Sequence, residues 1–81
     1  MSQLNNSNIE PSQIIKIIQQ IIGNDVVINI DSNKINTKNW DSLTHLNLII
    51  ELENAFDLSF TMEEMEKMIS VNVIIEIINN K

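Results

Sequence analysis

Apolar residues recur at three- and four-residue intervals from about Ile9 to Ile22, through Ile14, Ile15, Ile17, Ile18, Ile21 and Ile22. That spacing gathers them on one side of a helix. Pro11 suits a first turn, where its missing N–H costs no hydrogen bond, and Gly23-Asn24 supplies the stop. The periodicity then lapses until Asp41. Val26–Ile30 is rich in β-branched residues. With no second strand to pair with, it reads as a loop pinned by apolar side chains. Asp31 to Asn39 is polar and turn-rich. The whole 23–41 segment is a long connection, of the kind that in compact domains is often functional.

A second helix is predicted over Ser42–Phe56, with Asp41 as N-cap accepting first-turn N–H groups. Thr61-Met62-Glu63-Glu64 is a capping box opening a short helix that ends near Ile69. Ser70 caps a last helix running to about Asn79, with Val71, Ile74, Ile75 and Ile78 inward. The pattern predicts an all-α fold: a four-helix bundle with three longer helices, one short helix and a long loop between helices one and two. Met1–Asn8 is polar and reads as a disordered tail, leaving one domain over 9–79. No internal repeat or low-complexity tract interrupts it.

The second helix carries two apolar arcs. Leu48, Ile49, Leu52 and Phe56 form one, wide enough to face a core. Leu43, Leu46 and Ile50 form another, roughly opposite. Either this second arc is a docking face, or the helix is central and buried nearly all round; the pattern alone leaves both open. Glu53 lies near the Ile50 arc. Glu63, Glu64 and Glu66 add acids to the short helix, as a solvated face would.

Charge narrows the function classes. Eleven acids against five bases give a formal charge of −6, and arginine is absent. Nucleic-acid binding needs clustered cations to displace counterions, so no nucleic-acid partner is expected. An acidic surface steers toward basic partners and disfavours anionic membranes. Without cysteine there is no disulfide, Cys-ligated zinc or Cys nucleophile. Met1–Asn8 lacks the basic and apolar regions of a signal peptide, and no apolar run approaches the roughly 20 residues of a membrane span. A cytoplasmic chain without membrane insertion is expected.

Asp41, Ser42 and His45 are the residue types of a hydrolytic triad. Asp41 and His45 belong to one helical start, however, where neither is free to orient the other as the relay requires, and there is no Gly-x-Ser-x-Gly elbow. Asp31-x-Asn33 opens like a calcium loop but fails where Ile35, Asn36 and Ser42 replace a ligand, the glycine and the closing glutamate. Ser42 taken alone reads as part of a helix cap.

Its context changes that reading. The stretch Asn39-Trp40-Asp41-Ser42-Leu43-Thr44-His45-Leu46-Asn47-Leu48-Ile49-Ile50-Glu51-Leu52-Glu53 resembles the Asp-Ser-Leu signature of acyl carrier proteins. Phe56 followed by Asp57-Leu58-Ser59-Phe60, an acidic short helix and a Val/Ile-rich last helix continue the likeness, from about Ile9 to Ile78. The resemblance implies a 4'-phosphopantetheine arm on Ser42, transferred from coenzyme A by a phosphopantetheinyl transferase that supplies Mg²⁺ and the base. The arm's thiol would hold acyl groups as thioesters, and the carrier itself would catalyse nothing. Asp41, Leu43, Leu46, Ile50 and Glu53 would meet the transferase and the acyl-loading and acyl-using enzymes through their basic docking patches. The carrier is expected to be a monomer.

Three positions depart from the fatty-acid carrier pattern. Asn39 stands where a glycine is usual, and Asn47 and Asn54 stand where glutamates are. A specialised stand-alone carrier is the expectation, for a polyketide, nonribosomal peptide, lipid or cell-surface glycan pathway. A peptidyl or aminoacyl carrier, and a helical interaction module without a prosthetic group, are the alternatives.

Overall fold

The computed structural model describes residues 9–81, and the tail expected over 1–8 lies outside the described residues. Four helices follow one another: α1 (Pro11–Ile22), α2 (Ser42–Phe56), α3 (Met62–Lys67) and α4 (Val71–Asn79). The expected all-α architecture is present, with α3 as the short helix. Among the described residues the only extended pairing is a single antiparallel bridge between Asn33 and Ser70. No helix among them is long and apolar enough to cross a membrane.

The core forms where the three longer helices turn their apolar stripes toward one another. Ile14, Ile18 and Ile22 come from α1, Leu48, Ile49 and Leu52 from α2, and Val71, Ile74, Ile75 and Ile78 from α4. Burying such side chains is the main favourable term in folding, roughly 1.5–3 kcal/mol for each one fully removed from water. Ile28 and Trp40 from the long connection, and Phe60 and Met68 on either side of α3, complete the cluster. Phe56, expected with the core arc of α2, is only partly buried at its edge.

The 23–41 connection is a pinned loop, as its sequence implied. Ile28 is buried, while Val27 and Ile30 face solvent. The pin also has a polar half that the hydrophobic pattern did not show. The Gln19 amide donates to the carbonyls of Gly23 and Val26 and accepts from the N–H of Ile28. One side chain thereby satisfies one backbone group at the helix end and two in the loop beyond it. Farther on, Lys34 N–H donates to Ile69 O at 2.8 Å and Val71 N–H to Ser32 O at 2.9 Å, tying the loop to the α3–α4 junction. Between these ties the Asn33 side-chain oxygen accepts from the N–H groups of Ile35 and Asn36. The segment that opened like a calcium loop therefore uses this oxygen to make a turn.

Two boundaries differ from expectation. Helix one was expected from about Ile9, but α1 begins at Pro11, because Glu10 takes extended backbone angles as the N-cap and its N–H donates to the Gln13 side chain. The short helix was expected to reach Ile69, but α3 stops at Lys67. Met68 leaves helical geometry (φ −82°, ψ 48°) with its side chain fully buried. That departure frees the Ile69 carbonyl to receive the loop.

Candidate functional site

Ser42 is the first residue of α2 and is exposed. The chain reaches it through Asn39, whose φ of 73° lies in the left-handed region. Glycine enters that region at no steric cost, and asparagine is among the few other residues that do so readily. The departure from the carrier pattern at Asn39 thus preserves the backbone conformation a glycine would serve. Asp41 follows in extended conformation and its carboxylate accepts from Thr44 N–H at 2.9 Å. This bond holds the Asp41 carboxyl below the usual aspartate range. Asp41 is therefore the expected N-cap, and Ser42 Oγ is left outside the cap hydrogen bond.

The two arcs of α2 part as follows. Leu48, Ile49 and Leu52 are in the core, whereas Leu43, Leu46 and Ile50 are 69%, 52% and 47% exposed. The reading of α2 as buried all round is therefore wrong, and an uncovered apolar stripe begins one residue after Ser42. Asp41, Ser42, Leu43, Leu46 and Ile50 are brought together on one end and face of α2. Glu53 is only half-exposed, and its carboxylate accepts from Phe60 N–H at 2.9 Å, securing the α2–α3 turn. Its side chain has an internal role that the helix periodicity did not reveal.

Beside Ser42 lies a cleft of about 360 Å³ between α2, α3 and the long loop. Its walls are largely apolar: Leu46 and Ile49 from α2, Met62 and Met65 from α3, and Ile69. Lys34 and Glu66 are the charged residues that line it. The three methionines near α3 divide by position. Met62 is exposed, Met65 is a half-buried wall, and Met68 is core.

His45 closes one side of this cleft. Its Nδ1 accepts from the indole Nε1–H of Trp40 at 3.1 Å, and its Nε2 lies 3.1 Å from the Met65 carbonyl oxygen. An indole N–H only donates, so Nδ1 is the unprotonated nitrogen and Nε2 carries the hydrogen given to Met65. Both ring nitrogens are thus engaged with Trp40 and Met65, and neither serves Ser42 or Asp41. The triad relay is not assembled. Sequence reasoning found no partner for His45. The available signal was the lone Trp40, which must find an acceptor for its N–H once buried; it is 3% exposed.

No family model matches the chain, and no curated protein matches it closely enough to count as a relative.

Proposed function

We propose that the protein is an acyl carrier whose Ser42 bears a 4'-phosphopantetheine arm. The observation that carries this reading is an exposed serine at the positive end of a fifteen-residue helix, adjoining an apolar cleft and an uncovered apolar stripe. The Asp-Ser-Leu resemblance supplies the chemistry. Ser42 Oγ attacks the β-phosphate of coenzyme A, forming a Ser42–O–P bond as the pyrophosphate link breaks. Adenosine 3',5'-bisphosphate leaves, and the serine proton passes to a base on the transferase. Ser42 anchors the arm, and the helix start favours the phosphate through its free N–H groups and dipole. The arm's thiol then carries an acyl group as a thioester, and tethering raises the cargo's effective concentration at each docked enzyme.

Leu43, Leu46 and Ile50 supply apolar contacts to those enzymes, with Asp41 and Glu53 at the edge of the same face. The chain's acidity steers it toward basic docking patches in a salt-dependent way. This describes a monomeric, cytoplasmic carrier in a specialised pathway. A peptidyl or aminoacyl carrier would use the same serine and arm.

Incubation with coenzyme A, Mg²⁺ and a broad-specificity phosphopantetheinyl transferase, followed by intact mass measurement, tests the reading. One phosphopantetheine is expected on the wild type and none on Ser42→Ala. If the wild type gains no mass while a known carrier in the same tube does, the proposal fails. The Leu43, Leu46 and Ile50 stripe would then favour a helical interaction module.

A further inference from the structure

We propose that the Lys34 ammonium is a second anchor for the arm: it holds the phosphodiester formed on Ser42 Oγ and turns the arm into the cleft between α2 and α3. The proposal deepens the reading of Ser42 as the attachment site and rests on it. Lys34 and Ser42 line the same cleft of about 360 Å³, although one comes from the long loop and the other from the head of α2. Lys34 is the only lysine among the lining residues, and the chain has no arginine. His45 lines the cleft too, but its ring nitrogens are engaged with Trp40 and Met65. The Lys34 backbone is fixed to the cleft wall, because its N–H donates to Ile69 O at 2.8 Å. From that fixed point a flexible four-carbon stem carries the charge.

No carboxylate claims that charge. The ion pairs among the described residues are Lys67–Glu63 and Lys81–Glu64, so Lys34 is paired neither with Glu66 of the α3 wall nor with any other acid. The two charged lining residues also differ in exposure: Glu66 is exposed, whereas Lys34 is half-buried. Water and salt screen the glutamate, and a charge drawn partly out of water acts more strongly on its neighbours. Asp41 adds a direction. It adjoins Ser42 but does not line the cleft, so it repels a phosphate on Ser42 from outside the cleft while Lys34 attracts it from within. In a phosphopantetheine the phosphate is followed closely by a dimethyl-substituted carbon. An anion and then an apolar group in the arm match a lysine beside the apolar walls of Leu46, Met62 and Met65. A carboxylate on the acyl group would offer Lys34 the same chemistry. The phosphodiester is favoured because it is bonded to Ser42 itself, which keeps its effective concentration at the cleft high.

The arm is first installed from coenzyme A and confirmed by intact mass; no gain of mass overturns the reading of Ser42 and this proposal with it. The full chain, with and without the arm, is then labelled briefly with an amine-reactive ester, and its five lysines are compared by peptide mass spectrometry. Labelling of Lys34 is expected to fall about threefold when the arm is present, as a partly exposed ion pair would produce. Lys16 and Lys38 should be unchanged, and high salt should shrink the effect. ³¹P relaxation of the modified protein gives a second readout. The phosphodiester is expected to be restrained in the wild type and in Lys34→Arg, and mobile in Lys34→Gln. The tie to Ile69 uses the Lys34 backbone N–H, which every one of these variants keeps, so they report on the charge. Equal labelling with and without the arm would overturn the proposal, as would ³¹P relaxation indifferent to Lys34→Gln; Lys34 would then be a stem packed on apolar surface. Arms loaded with acetyl or succinyl groups separate the two anions. Protection of Lys34 that appears only with succinyl would overturn the phosphodiester contact and assign the lysine to cargo.

Discussion

α3 and α4 follow each other in the chain and are held in place by opposite means. α4 buries Val71, Ile74, Ile75 and Ile78 against α1 and the rest of the core. α3 buries none of its own residues. It is held at its start by the Glu53 carboxylate on Phe60 N–H and by the reciprocal Thr61–Glu64 box, and along its length by Lys81 on Glu64 and His45 on the Met65 carbonyl. Phe60 and Met68 plug into the core on either side of it. Apolar burial is non-directional and tolerates small shifts. Hydrogen bonds depend on angle and protonation state. The helix beside Ser42 is thus held by directional polar contacts, and the scaffold beneath it by apolar burial.

The largest expected effect breaks the scaffold. Leu52 is fully buried, and Leu52→Ala should cost about 2–5 kcal/mol through lost transfer energy and a cavity. Urea unfolding should show a lower midpoint, with α3 and α4 lost together. A loss below about 1 kcal/mol would show that α2 is not the centre of the core.

Glu53→Ala is the matching change on the α3 side. It leaves the Phe60 N–H without its carboxylate and should cost about 1.5–3 kcal/mol. Amide exchange at Phe60 and Thr61 should rise more than exchange at Ile74 and Ile75. Equal increases in both helices would contradict the separation drawn between them.

Acid distinguishes the two regions by direction. The Lys81 ammonium, then the Thr61 N–H, hold the Glu64 carboxyl below its usual range, and the Thr44 N–H does the same for Asp41. A depressed folded-state value means that stabilisation is complete above the ordinary carboxylate range, about pH 4. It is lost as pH falls through the lower folded values. The difference in Tm between wild type and an Asp41→Asn, Glu64→Gln double variant should therefore hold steady near neutrality and narrow only below about pH 4. A difference that widens on acidification would reverse the assignment.

The smallest effect on stability is expected at the uncovered stripe. Leu46→Ser removes an apolar side chain that is already 52% exposed, and unfolding should shift by no more than about 0.5 kcal/mol. Its consequence should fall instead on association with the transferase, as a raised KM in the mass assay. An unchanged KM would remove Leu46 from the docking face.

Much of this arrangement was readable one residue after another. The spacing of isoleucines placed α1 and the inner face of α4. Asp41, Thr61 and Ser70 marked three helix starts, because a capping side chain acts on backbone only two or three residues away. The bounds of α2 followed from the same local signals. The second arc of α2 was visible, but its exposure was not, since periodicity shows that a stripe exists without showing what covers it. Glu53 was placed on a face and turned out to be bonded to Phe60, seven residues on.

The sequence by itself determined the order of the helices, the caps at Asp41, Thr61 and Ser70, the acidic surface and the serine at the head of α2. Each depends on contacts within about one helical turn or on composition. Only the tertiary structure decided which face of α2 stays bare and where α3 ends. It alone showed that Trp40 and Met65 meet on either side of His45. Met65 lies twenty residues beyond His45 in the chain, and no local rule selects one carbonyl at that distance. The fold brings that carbonyl to the ring, because Trp40 before α2 and Met68 at the end of α3 are both buried in the same core.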